Sequence, residues 1–326
     1  MKRYELSYPF WLVIVLSFFA LPFNARCADP ADAKYWFEKG ISYFDSAEYD
    51  KAVEAFTKIL DLNFRFAQVY VTRGIAWSKK GEYDRSISDY TKALEINPRL
   101  AQAFYNRGVA WSQKANFDHA IEDFTKSIEL NPQDVSSFHG RGIAWVNKGE
   151  FDRAIDDYSK ALEFDPQNAI IYYHRGNALE QKGDLNRAFA DYTEAVRLNP
   201  MNADFYHSRG NILIQQNEVD RAIANYTKAL ELNPEFVEAY YNRGQAWNRK
   251  NELDRAIADY THALNINPRF NETYFNRSRA YLKLGNLEKA LDDAKKAFAL
   301  SPDNRSYGQY VKDIESEMQK KATEKP

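Results

Sequence analysis

The sequence predicts an all-α fold, a solenoid of eight two-helix repeats followed by one C-terminal capping helix. Three observations carry this. Gly40, Gly74, Gly108, Gly142, Gly176, Gly210 and Gly244 stand 34 residues apart, with Ser278 next in line. Ala52, Ala120, Ala154, Ala188, Ala222, Ala256 and Ala290 keep the same interval, and Ser86 fills the one gap. Pro98, Pro132, Pro166, Pro200, Pro234, Pro268 and Pro302 do likewise. A fixed period of this length marks a repeat architecture. It also removes the usual inference from 326 residues to about two globular domains, because a repeat protein has a continuous core seam.

The first segment, 1–27, reads as a signal and not as fold. Lys2 and Arg3 precede an apolar run of 14 residues from Phe10 to Phe23, and Ala25 and Cys27 supply small residues before Ala28. A helix needs about 20 residues to span a bilayer, so the pattern predicts a secretory signal peptide cleaved before Ala28. An uncleaved, tilted anchor is the alternative; a lipid anchor on Cys27 fits less well, because Asn24-Ala25-Arg26 precedes it. The expectation is an exported protein, periplasmic or extracellular, with inner-membrane anchoring as the other outcome. Removal of 1–27 takes away the only cysteine, three basic residues and one acidic residue, so the remainder carries −4 against −2 for the whole chain. With one cysteine, no internal disulfide and no multi-cysteine zinc site is available. A negative chain also argues against a nucleic-acid partner, which calls for a basic face.

After a linker at 28–32, the repeats fall at 33–66, 67–100, 101–134, 135–168, 169–202, 203–236, 237–270 and 271–304. In the fourth, helix A is predicted from Ser136 to Lys148 and helix B from Asp152, as a cap or first-turn acid, to about Phe164. Gly149 ends helix A by supplying a left-handed residue, and Gly81, Gly183, Gly285, Asn217 and Asn251 hold that place elsewhere. Asp165-Pro166, and Asn-Pro in most repeats, ends helix B, read as a left-handed Asn followed by a Pro that cannot continue the helix. Gly142 and Ala154 lie about equally far from the inter-helix turn, so small side chains let the two helices approach. Phe138, Trp145, Phe151, Ile155, Tyr158 and Leu162 fall at helical spacing around them.

The order aromatic-x-x-x-Gly-x-x-aromatic, then Ala-x-x-x-aromatic, then Pro, on a 34-residue period, resembles the tetratricopeptide repeat. The resemblance covers Ala33 to Asn304. It implies a right-handed superhelix with A helices lining a groove that binds a peptide or protein segment. Two departures stand out. Where the family often has leucine before the glycine, this chain has Arg73, Arg107, Arg141, Arg175, Arg209, Arg243 and Arg277, and Lys39 in the first repeat. Phe64 replaces the proline in the first repeat. Past Asn304 the period fails, but Tyr307, Val311, Ile314 and Met318 make one apolar stripe, so 305–319 reads as a helix capping repeat eight and 320–326 as a disordered tail.

Seven arginines at one repeat position suggest either a polyanion ladder or internal pairing. Sixteen residues after them stand Asp89, Asp123, Asp157, Asp191, Asn225, Asp259 and Asp293, while the first repeat has neither partner. The matched absence favours pairing.

On the resemblance, the fifth, ninth and twelfth residues of each repeat face the groove. The fifth are Phe37, Val71, Tyr105, His139, Tyr173, His207, Tyr241 and Phe275. The ninth are Ile41, Ile75, Val109, Ile143, Asn177, Asn211, Gln245 and Arg279. The twelfth are Phe44, Ser78, Ser112, Val146, Glu180, Ile214, Asn248 and Leu282. The ninth place is apolar in repeats one to four and polar in five to eight, which predicts a bipartite groove: an apolar half for hydrophobic side chains, and Asn177, Asn211, Gln245 and Asn248 for a partner's main chain. Packing between neighbouring A helices is the competing role for Ile75, Val109 and Ile143, whereas Tyr105, Tyr173 and Tyr241 read as ligand contacts. The chaperone-tail clamp of some family members wants Lys at the fifth place, which no repeat has.

His139, His174 and His207 lie one repeat apart, and packed helices stand about 8–10 Å from each other. Zinc ligands must converge to about 2 Å, so no metal site is expected. No phosphate loop, zinc-protease helix or nucleophile elbow occurs. The sequence therefore points away from an enzyme and from any cofactor, and towards a scaffold that grips an unidentified protein or peptide. A self-associating assembly factor of the cell envelope is the alternative.

Overall fold

The computed structural model describes residues 30–62 and 66–323; the predicted signal 1–27 and Phe64 lie outside the described residues. Among the described residues there are 17 helices, no strand, and no helix long and apolar enough to cross a membrane. The chain divides into two compact units, Met1–Pro166 and Gln167–Pro326.

The first unit holds four A–B pairs: α1 (Pro30–Asp45) with α2 (Tyr49–Asp61), α3 (Ala67–Lys79) with α4 (Tyr83–Ile96), α5 (Ala101–Gln113) with α6 (Phe117–Leu130), and α7 (Val135–Asn147) with α8 (Phe151–Phe164). The second holds α9 (Ala169–Lys182) with α10 (Leu185–Leu198), α11 (Ala203–Gln215) with α12 (Val219–Leu232), α13 (Val237–Arg249) with α14 (Leu253–Ile266), α15 (Asn271–Lys283) with α16 (Leu287–Leu300), and the closing α17 (Arg305–Thr323). Two segments differ from expectation. Helix α1 already begins at Pro30, inside the predicted linker, since Pro suits a first helical turn. Helix α17 runs to Thr323, so 320–323 of the predicted tail are helical.

Each of the first seven pairs closes on one ring; the eighth has Ser278 and Ala294 at the two places. The eighth residue of every repeat but the last is glycine, and a Cβ there would lie 2.5 Å from Tyr158 Cε1 at Gly142 and 2.7 Å from Tyr90 Cε1 at Gly74. The rings of Tyr90, Tyr158, Tyr192, Tyr226 and Tyr260 are fully buried in those contacts. Within each unit the cores borrow from the next repeat. Phe56 and Ile59 of α2 pack with Val69 and Ala76 of α3, and Ile223 and Tyr226 of α12 pack with Ala246 of α13. The last repeat has no successor, and Ile314 of α17 fills that place against Ala290 and Ala294. The capping role expected of the stripe Tyr307-Val311-Ile314-Met318 thus has its contacts.

The turns and helix ends follow the reading from residue types with two exceptions. Gly81, Gly149, Gly183, Gly285, Asn217 and Asn251 are left-handed after their A helices, as read from the sequence. Ala47 and Ala115 are left-handed too, with φ of 59° and 56°. The Asn-Pro stops are not left-handed: Asn97, Asn131, Asn199, Asn233 and Asn267 have φ between −138° and −124°. The following proline forces this, because its Cδ clashes with a helical or left-handed predecessor and drives that residue to extended backbone.

Between repeats, polar contacts recur as regularly as the core. Lys80, Lys114, Lys148 and Lys250 reach back to Asp50, Asp84, Asp118 and Asp220 of the preceding repeat. All four lysines also lie over the tryptophan of their own repeat's A helix, and in three of these repeats an arginine of helix B lies over the same ring. Trp77 has Lys80 at 4.9 Å and Arg85 at 4.6 Å; Trp145 and Trp247 repeat the arrangement.

Candidate functional site

The arginine stripe is internal. Arg73, Arg107, Arg141, Arg243 and Arg277 each give Nε and Nη2 to both oxygens of the aspartate sixteen residues on, at 2.7–2.8 Å. Their Nη1 donates to Thr57, Thr91, Thr125, Thr227 and Thr261 of the preceding helix B at 2.9–3.0 Å. Arg175 pairs with Asp191 likewise, and that bond is the largest influence holding its guanidinium above its ordinary value. Burial pushes the Asp123 and Asp157 carboxyls up despite their arginines. These groups knit the solenoid and are not presented as a polyanion ladder. Arg209 is the exception, because it faces Asn225, with Nε 2.8 Å from Asn225 Oδ1.

The sixteen residues predicted for the groove divide into three sets. Phe37, Ile41 and Val71 are core residues, buried with the rings of Phe56 and Tyr90, and offer no surface to a ligand. The sequence placed them on the groove face by repeat position; the structure buries them in these clusters, with Phe44 and Ile75 packed against the same groups. In the rest of the first unit Phe44, Ile75, Tyr105 and Val109 are half-buried against the same clusters, and His139 and Ile143 are half-buried as well. The fifth-place rings pack, tilted, against the core ring nineteen residues later: Tyr105 against Phe124 and His139 against Tyr158, both at 5.8 Å.

In the second unit Tyr173, His207 and Tyr241 pack the same way, at 5.8–6.2 Å from Tyr192, Tyr226 and Tyr260. There, however, the ninth and twelfth places carry polar groups, and these form a network across successive A helices. The Tyr192 hydroxyl lies 2.7 Å from Asn177 Oδ1 and 2.8 Å from Glu180 Oε2; burial, with the Glu180 charge beside it, pushes that phenol up. Gln215 Nε2 donates to Glu180 Oε1 at 3.1 Å. Tyr226 donates to Asn211 Oδ1 at 2.9 Å, and Asn242 Nδ2 donates to the same oxygen at 3.1 Å and to His207 Nε2 at 2.9 Å. Since Nδ2 can only donate, that nitrogen of His207 accepts and is unprotonated. Burial holds His207 below the ordinary imidazole value. Tyr241 receives Gln245 at 2.8 Å and Asn276 at 3.0 Å. Lys283 reaches Asn248 Oδ1 at 3.3 Å, and Arg249 Nη1 reaches the Ile214 carbonyl at 3.2 Å.

The network walls an open cleft of about 330 Å³ between α9, α11 and α13, lined by Glu180, Asn211, Ile214, Gln215, Tyr226, Asn242, Gln245, Ala246 and Arg249. The predicted carboxamides are therefore partly spent inside the protein: Asn177 and Asn211 use their oxygens on core tyrosines. Asn211 Nδ2 and Gln245 Oε1 make no bond among the described residues, and Arg249 uses one N–H. Sequence reasoning missed Gln215 and Arg249 at the thirteenth place, Asn242 at the sixth, and Tyr226, which reaches the cleft from helix B. The 35-residue spacing of Glu180 with Gln215, and of His207 with Asn242, was the available signal.

Comparison with known proteins places these repeats. A model described as TPR repeat matches residues 74–114, 145–183, 176–214 and 210–249. Tetratricopeptide repeat models match 33–66, 101–134, 237–270 and 271–304. No curated protein sequence matches the chain. Among solved structures, YrrB, described as a TPR protein with an unusual peptide-binding site, is 28% identical, with a TM-score of 0.51 over 59% of this chain and 99% of YrrB. A repeat protein from Cytophaga hutchinsonii is 18% identical, with a TM-score of 0.62 over 74% of this chain and 98% of its own. The Cut9–Hcn1 structure is 19% identical, with a TM-score of 0.56 over 86% of this chain and 55% of its own. The last two show the shared fold.

Proposed function

This chain is a member of the tetratricopeptide repeat family, a family that generally mediates protein–protein interactions and is typically non-enzymatic, and on that premise we propose that it is a scaffold holding a segment of a partner protein in the cleft between α9, α11 and α13. One observation carries the reading. The cleft presents unused donors on Asn211 and Arg249 beside an unused acceptor on Gln245, with the half-buried Ile214 in its lining. A peptide main chain offers alternating acceptors and donors, so both its polar groups and one apolar side chain are met there. His207 and Tyr241, packed on the core rings of Tyr226 and Tyr260, are bonded into the network, which limits the ordering cost of binding. The peptide-binding description of YrrB, 28% identical, supports the ligand class.

The same proposal keeps the export reading of 1–27, supported by Lys2, Arg3 and the apolar run that follows; sequencing the N-terminus of the protein isolated from its cell tests it.

The cleft is tested by selecting peptides on the chain from a displayed library and measuring their affinity by calorimetry. The double substitution Asn211→Ala, Arg249→Ala should weaken selected peptides by about tenfold or more, roughly one lost charge-assisted hydrogen bond or two neutral ones. Selected peptides that bind the variant as tightly as the parent would move the site off this cleft.

A further inference from the structure

Repeat six breaks the rule of the arginine stripe in a way that leaves a binding group. In five sister repeats Nε, Nη1 and Nη2 of the arginine are all spent on an aspartate and a threonine. Arg209 has neither partner. Asn225 replaces the acid, takes Nε with Oδ1 at 2.8 Å, and turns its Nδ2 back to the Arg221 carbonyl at 2.8 Å. It is half-buried, whereas the aspartates at this position are buried. The residue at the threonine position, Thr193, is exposed and makes no bond to the guanidinium. Among the described residues, Nη1 and Nη2 of Arg209 have no acceptor, although the side chain is half-buried and fixed over the Tyr206 ring at 5.4 Å. Burial works against its charge, and Arg221 adds like-charge repulsion.

We propose that Arg209 is a docking point for one carboxylate of a partner protein, taken on its Nη1–Nη2 edge. The sister repeats show the anion this position is built around, a carboxylate held by two N–H groups, and a guanidinium accepts a second such fork end-on. The neighbouring cation, Arg221, is committed to Glu218, so a single positive charge is left to match, which favours a carboxylate over a doubly charged phosphate. That the carboxylate is a partner's rests on the scaffold reading above. The anion site itself does not, and its test needs no partner.

The full chain labelled with ¹⁵N-arginine would be titrated with sodium acetate against sodium chloride at constant ionic strength, and the arginine Nε–H signals followed. Arg209→Lys identifies the Arg209 signal by its loss. The expected result is a saturable shift of the Arg209 signal, no movement of the Asp259-paired Arg243 signal, and loss of the response in Asn225→Asp, which restores the internal acid and should fold at least as well. A drift shared by all arginines, an equal response in Asn225→Asp, or a response to inorganic phosphate without one to acetate would each overturn the proposal.

Discussion

His207 shows how much a single side chain in this protein does at once. Its ring packs 5.8 Å from Tyr226 and 4.8 Å from Phe236, and its Nε2 accepts from Asn242, which also holds the cleft residue Asn211. Protonation would turn that nitrogen into a donor facing a donor. Burial already depresses its pKa, as it does that of His174. A base with a depressed folded-state value is protonated first in the unfolded chain, so the stability it contributes is complete above the ordinary imidazole range, about 6.5, and is lost as pH falls below it. The urea midpoint should therefore drop between about pH 7.5 and about pH 5.5, and drop less in His207→Gln, which keeps an acceptor but removes the titration. Identical pH profiles for the two proteins would refute this assignment. His207 was named from its repeat position alone. Its partner Asn242 was not, because the bond joins the fifth place of one repeat to the sixth of the next, a contact visible only once the A helices are set side by side. The arginine pairs were easier to find: six of the seven arginines have an aspartate sixteen residues on, Arg209 with Asn225 being the exception, and the first repeat lacks both partners.

At the level of elements, the inter-helix turn has a fixed left-handed residue, and the chain fills it unevenly. Gly or Asn occupies it six times, but Ala47 and Ala115 adopt the same backbone. An L-residue with a Cβ costs roughly 1–2 kcal/mol there, against which glycine's extra unfolded-state freedom costs about 0.5–1. Ala115→Gly should therefore stabilise the α5–α6 pair by about 0.5–1 kcal/mol, read as a raised melting temperature; a lowered one would mean that the Ala115 methyl makes contacts worth more than the strain. The position was legible from the period even where its residue type gave no hint. The Asn-Pro stops went the other way. The residue types suggested left-handed caps, yet the proline's steric demand on its predecessor overrides Asn's tolerance. Helix α17 was found by its apolar stripe, and its extra length to Thr323 was not, because Lys320 and Lys321 suit a helix C-terminus as well as a tail.

For the molecule as a whole, stability in each unit is a sum of pair closures and neighbour contacts, so damage should stay near its source. Gly142→Leu pushes atoms into the buried Tyr158 ring, which has nowhere to go, and should cost about 1–3 kcal/mol. Hydrogen exchange should place the lost protection in α7, α8 and the adjoining α5–α6 pair, less in α1 and α2. Uniform loss through the first unit would mean that it melts as one block. By itself the sequence determined the family, the eight repeats, the helix pairs, the arginine–aspartate pairs and the cap, because each depends on residues at fixed spacing along one chain and the 34-residue period repeats the evidence. Tertiary structure alone decided which A-helix residues reach the surface. Ile41 shares its repeat position with the half-buried Asn177, Asn211 and Gln245, and Phe37 and Val71 share theirs with the half-buried Tyr173, His207 and Tyr241, yet all three lie in the core, while Gln215, Tyr226, Asn242 and Arg249 come to one cleft from three repeat positions that no period connects. Burial is a property of the space left by neighbours, and that space depends on the size and polarity of side chains in the adjacent repeat, which spacing within one repeat does not encode.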